Sequence, residues 1–169
     1  MARSSSAPVA RSLAKAALIG FVTLLVGCDH ATKHAAATLL SGRRPFDLVP
    51  GVLDLRYTEN HDSAFSLLAR FGAGNLAPLL AVAGVLVLAL LVGLWVQRRS
   101  EASRMEHLGF AFAVAGAVGN IADRLVRGYV VDFIHVRHWP VFNVADIAVV
   151  VGVALIVLAS FKSPKPLLQ

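Results

Sequence analysis

Charge is what this sequence has least of. Only 15% of its 169 residues are charged and 57% are hydrophobic, where an ordinary soluble domain carries about 25% charged residues. Leu76 to Val96 contains no charged residue, and Phe142 to Phe161 contains one, Asp146. A helix needs roughly 20 apolar residues to cross a hydrocarbon core, and both runs reach that length. The composition therefore excludes a soluble globular domain and leaves room for one compact membrane domain. Cysteine is almost missing: Cys28 stands alone, so no internal disulfide can form and redox compartment is not indicated. There is no internal repeat and no His-Glu-x-x-His motif. His135 and His138 have a spacing that can bind metal, but their loop offers no further ligand set, so no metal and no cofactor is expected. Acidic residues are outnumbered, ten to sixteen, which gives a formal charge of +6 and a pI near 10.3. The basic residues flank apolar runs instead of interleaving with aromatics, which argues against a nucleic-acid partner.

The pattern divides the chain into four apolar spans. Residues 1–12 are polar and Ser-rich and are expected to form a disordered cytoplasmic tail. The membrane domain is expected over 13–161, with a second cytoplasmic tail at 162–169. The first span runs from Ala16 to Cys28 and can continue to about Leu40 only if Asp29, His30, Thr32 and Lys33 face protein or water. The others are expected near 76–96, 107–126 and 142–161. Between Val52 and Tyr57, apolar Leu53, Leu55 and Tyr57 alternate with Asp54 and Arg56, which predicts a half-buried strand and a small extramembrane sheet. Residues 127–141 read as a second extramembrane loop, with Trp139 as an interfacial anchor. The predicted fold class is thus mainly α, with four membrane helices and a small sheet on the outer face.

Four spans place both termini and the 97–106 loop on one side, with eight basic residues on each side of the membrane. On the terminal side they flank spans in short segments, where the positive-inside rule works best, so the termini are expected in the cytoplasm.

Polar residues inside or beside the spans gather towards the opposite face. Asp29 and Lys33 end the first span. Asn120, Asp123 and Arg124 end the third, Asn143 and Asp146 begin the fourth, and Asp132 lies in the loop between those two. A charge at bilayer depth costs at least about 2.5–3.5 kcal/mol on insertion scales. Such residues either pair with one another or line a wet site. Two carboxylates close together at low dielectric share a proton, and a half-protonated pair can activate water and protonate a leaving amine. Asp132 and Asp146 can be that pair, or both can be structural partners of Arg124 or Lys33. Asp123 reads as structural, paired with Arg124 or capping a helix end. Two rival readings stay in view. Intramembrane carboxylates also suit proton-coupled transport, but that needs polar residues at both faces. Leu25, Val26, Gly27 and Cys28 look like a lipobox, but cleavage there would remove the first span and leave three that a lipoprotein does not need.

Five stretches together resemble the bacterial lipoprotein signal peptidases, or signal peptidase II. They are Asp29 to Lys33, Asn60 with Ala64, Phe65 and Ser66, Gly119 to Arg124, Gly128 to Phe133, and Phe142 to Asp146. They stand in the family's order and spacing, and the resemblance covers about residues 14–161. It implies an intramembrane aspartyl endopeptidase that cleaves diacylglyceryl-modified prolipoproteins before the lipidated cysteine, without a metal, at the outer face of the bacterial cytoplasmic (inner) membrane. It implies a catalytic dyad of Asp132 and Asp146, supported by Asp29, Lys33, Asn60, Asn120, Arg124 and Asn143. The implied partners are lipid-modified prolipoproteins and membrane lipids; oligomeric state is left open, with a monomer compatible. One departure stands out: Asp62 occupies a position where the family usually has Gly, and a turn or left-handed conformation is expected there.

Overall fold

The computed structural model describes residues 6–61 and 77–162. Asp62, Ala64, Phe65 and Ser66 lie outside the described residues, and so does the expectation for the Asp62 backbone. Four helices and three strands follow in the order α1 (Ser6–Leu40), β1 (Phe46–Val49), β2 (Leu53–Asn60), α2 (Ala77–Arg98), α3 (Arg104–Arg127), β3 (Val130–Val136) and α4 (Val144–Lys162). All four helices are long and apolar enough to cross a membrane. The helix α1 starts at Ser6, inside the segment expected to be disordered. Pro8 falls in its first turn, where a missing N–H breaks no helical bond. Its other end carries the helix past Asp29 and Lys33 to Leu40, because both residues turn onto protein partners.

Helix ends follow local chemistry. Ser103 caps α3 in a capping box: its side chain accepts from the Glu106 amide at 3.1 Å, and its own amide donates to Glu106 at 2.8 Å. The helix stops at Gly128, whose φ of 81° is left-handed and whose N–H returns to the Arg124 carbonyl at 3.1 Å.

Among the four helices α3 is the most buried. It packs on α1, α2 and α4. Its closest neighbour is α4, and small residues make that approach possible. A Cβ at Gly116 would run into the Ala145 carbonyl oxygen, and one at Gly109 would lie 2.8 Å from the Gly152 carbonyl oxygen. In lipid, where apolar burial supplies no net drive, this close backbone packing is what holds helices together.

The strands form an antiparallel sheet in the order β1-β2-β3. The segment 127–141, expected as a loop, contains β3. Val130 to Phe133 of that strand are buried on both faces, so its sequence lacks the alternation of a half-buried strand. Val131 and Phe133 pack on Ala36 of α1, with Leu40, Leu55 and Tyr57 around them. Alternation along the strand turns Asp132 the other way. Asp54 on β2 stands opposite His135 on β3 and accepts from its Nδ1 at 2.8 Å and from Arg56 at 2.6 and 2.7 Å. The Arg56 guanidinium, helped by His135, holds Asp54 down at about 2 against the opposing effect of burial. His135 is thus committed to Asp54, which is a structural use of the residue.

Candidate active site

The sheet and the start of α4 bring Asp132 and Asp146 to one residue, Asn143. Its side-chain Nδ2 donates to Asp132 Oδ1 at 2.6 Å, while its backbone N–H donates to Asp146 Oδ2 at 3.1 Å. The second contact is half of another capping box. Asn143 immediately precedes α4, and its Oδ1 accepts from the Asp146 amide at 3.0 Å. Both aspartates have their second oxygen filled as well. Asn60 Nδ2, at the end of β2, donates to Asp132 Oδ2 at 2.8 Å, and Asn120 Nδ2 on α3 donates to Asp146 Oδ1 at 2.8 Å. Three asparagines therefore fix the orientation of two carboxyl groups.

Behind this layer lies an ionic one. Lys33 is fully buried, and its ammonium meets Asp29 Oδ2 at 2.8 Å, Asp123 Oδ2 at 2.8 Å and Asn120 Oδ1 at 3.0 Å. Asp29 Oδ1 accepts from the Ala145 amide at 2.9 Å, so α1 also satisfies a free N–H at the start of α4. Gly119 leaves the room for this: a Cβ there would lie 2.6 Å from Asp29 Oδ2. Asp123 binds Arg127 one turn along at 2.9 Å. That replaces the expected pairing with Arg124, because residues four apart share a helix face and adjacent ones do not. Arg124 donates to the Asn120 carbonyl at 3.3 Å and lies in the field of Asp146, Asp132 and Asp123.

Of the eight residues singled out from the sequence, Asp29, Lys33, Asn60, Asn120, Asp132, Asn143 and Asp146 form one continuous set of hydrogen bonds and ion pairs, with Arg124 at its edge. The residue underrated by sequence reasoning is Asp123, the second carboxylate on Lys33. Its spacing to Arg127 was readable; its contact with Lys33 was not.

Asp132 is 2% exposed. Burial pushes its carboxyl up to about 6, with the Asp146 charge adding to the effect and the Asn60 and Asn143 hydrogen bonds and the Lys33 charge opposing it. A carboxyl raised so far holds its proton above the ordinary carboxylate range, as a group that gives up a proton in acid–base work must.

The depth of the site follows from helix rise. Asp29 lies about 21 Å above Lys15, Asn120 about 24 Å above Arg104, and Asp146 about 24 Å above Lys162, at 1.5 Å per residue. Those rises place the set at the end of the helices opposite Lys15, Arg104 and Lys162. Four membrane-capable helices, with a buried Asp132 and a half-buried Asp146 held together near one end, make a membrane protein with a polar site suited to acid–base chemistry. Residues 21–162 match the family model for signal peptidase (SPase) II, and the chain belongs to that family. It is 35% identical over 147 residues to a lipoprotein signal peptidase of Pseudoalteromonas translucida, covering 85% of this chain and 87% of that one. It is 36% identical over 160 residues to one of Pseudomonas syringae pv. tomato, covering 91% of each. The fold is similar to a solved bacterial membrane enzyme with a TM-score of 0.75 and 26% identity, covering 90% of this chain and 95% of that one.

Proposed function

We propose that this chain is an aspartyl endopeptidase that removes the signal peptide of a lipid-modified prolipoprotein by cleaving before the lipidated cysteine. The observation that carries the aspartyl assignment is that one residue, Asn143, orients both Asp132 and Asp146. Asp132 carries the shared proton and Asp146 is the base. Asp146 takes a proton from a water whose oxygen attacks the scissile carbonyl carbon, while Asp132 gives its proton to the carbonyl oxygen. The tetrahedral intermediate then collapses, the C–N bond breaks, and the amine leaves with a proton from the pair. Asn60, Asn120 and Asn143 orient the carboxyl groups. Asp29, Lys33 and Arg124 support them, and neither metal nor cofactor takes part.

The enzyme is read as spanning the bacterial cytoplasmic (inner) membrane with its termini in the cytoplasm and its site towards the outer face. The supporting feature is the set of basic residues, Arg11, Lys15, Arg98, Arg99 and Arg104 among them, flanking spans in short segments. One chain holds the whole proposed set, so a monomer suffices.

The test uses purified protein and a diacylated prolipoprotein. Wild type should yield a product of lower mass with or without chelator. Asp132→Asn and Asp146→Asn should insert and fold yet give almost no product. Robust turnover by either variant would remove the dyad, and ion flux in sealed vesicles without cleavage would favour the transport reading.

A further inference from the structure

On the terminal side of the membrane, α1 and α2 both pack on α3 and share no comparable contact with each other. The wedge between them is a groove of about 230 Å³ lined by Leu18, Ile19, Val22, Thr23, Trp95 and Val114. Its polar atoms are turned away from it. The Thr23 hydroxyl donates to the Ile19 carbonyl at 3.0 Å, and Trp95 Nε1 donates to His107 Nδ1 at 2.8 Å. The wall is therefore apolar and the mouth is basic. Lys15 precedes Leu18 by three residues and Ile19 by four, so it lies on the same face of α1 one turn nearer the interface. Arg98 stands in the same relation to Trp95 on α2. Both are exposed, and neither forms an ion pair among the described residues.

We propose that this groove holds one acyl chain of an anionic membrane phospholipid, with its headgroup phosphate at Lys15 and Arg98. The apolar wall is shallow and open to the surrounding hydrocarbon, as a site for a flexible acyl chain requires. Depth agrees with a lipid tail, since Ile19, Thr23 and Trp95 lie about 5–12 Å inside the basic edge at 1.5 Å per residue. The sign of the mouth selects an anionic headgroup. The bound chain would buttress α1, which carries Asp29 and Lys33, against α2 where the protein supplies no packing of its own. The site lies at the opposite end of the spans from the dyad and stands independently of the peptidase reading.

Trp95 is itself the reporter. Trp139→Phe leaves it as the sole tryptophan of the two in the chain. That variant is placed in nanodiscs of unbrominated phosphatidylcholine doped with either brominated-acyl phosphatidylglycerol or brominated-acyl phosphatidylcholine. Each basic residue near a membrane surface favours anionic lipid by about fivefold. With two such residues, half-maximal quenching by the glycerol lipid is therefore expected at about a 25-fold lower mole fraction than by the choline lipid. Lys15→Gln with Arg98→Gln should bring the two curves together. Val114→Phe, which fills the groove without changing charge, should weaken quenching by both. An unchanged Trp95 emission maximum in unbrominated lipid serves as the folding control. Equal quenching by the two lipids in the parent, or a preference that survives the double substitution, would overturn the proposal. Release of quenching by an added synthetic signal-peptide helix would reassign the groove to peptide and overturn it as well.

Discussion

Lys33 uses its ammonium inside the protein, in ion pairs with Asp29 and Asp123 and a hydrogen bond to Asn120. Removing it leaves two buried carboxylates facing each other. Breaking such a set costs about 3–5 kcal/mol, so Lys33→Met should lower the thermal unfolding midpoint strongly. Adding Asp29→Asn and Asp123→Asn should recover much of the loss, and a thermal melt in detergent measures both. At Asp132 the expectation concerns pH. Its folded value of about 6 lies above the ordinary 3.8, so the protonated form is the one the fold favours. Its contribution to stability is complete below about 3.8 and is lost as pH rises through about 6. The protonated form of Asp132 is lost over the same upper range. The pH profile of kcat/KM should therefore fall on the alkaline side of an apparent value near 6, and a flat profile to pH 9 would contradict the proton assignment. The identities of these residues were legible in the sequence because charge and amide side chains are conspicuous in apolar runs. The contacts were less so: Lys33 and Asn120 are 87 residues apart, and only the packing of α1 on α3 joins them.

The start of α4 serves two ends at once, since the Asn143–Asp146 capping box is also part of the proposed site. Asp146→Ala should therefore lose about 1 kcal/mol of helix stability in addition to activity, whereas Asp146→Asn should lose mainly activity. Unfolding curves for the two variants distinguish the roles. The α3–α4 contact offers a second test. Gly116→Val forces a side chain into the Ala145 carbonyl, one residue from Asp146. A displacement of about 1 Å at a reacting group costs about 10²-fold in rate, so this variant should cleave poorly although no polar residue has changed. Gly93→Ala on α2, where a Cβ meets open space, should cleave like wild type. At this scale the spans were readable from charge-free length, and β2 from its alternation. The other two strands were not, for opposite reasons. β1 is exposed along its whole length and the first half of β3 is buried on both faces, so neither shows the two-residue rhythm that marks a half-buried strand.

At the scale of the whole molecule, Asp132 on β3 and Asp146 at the start of α4 meet at the depth where the sheet joins the ends of the spans. A substrate held in the bilayer by its diacylglyceryl group presents its peptide bond near that depth. A precursor without the lipid must find the site from water. Rates on lipidated precursor should therefore greatly exceed those on the unlipidated form, and equal rates would separate the site from the lipid. The same geometry bears on the membrane itself. The helix α1 runs without a break from the basic edge at Lys15, past the site, to Leu40 beneath the sheet, about 38 Å at 1.5 Å per residue. A rod of that length has no joint at which to absorb a change in bilayer thickness, and a long helix answers mismatch by tilting. A tilt of about 5° would move one end by about 3 Å relative to the other, with Asp29 and Lys33 in between. Cleavage rate should accordingly pass through a maximum as the acyl chains of the host lipid are lengthened, which would make this peptidase a gauge of the thickness of the membrane in which it works.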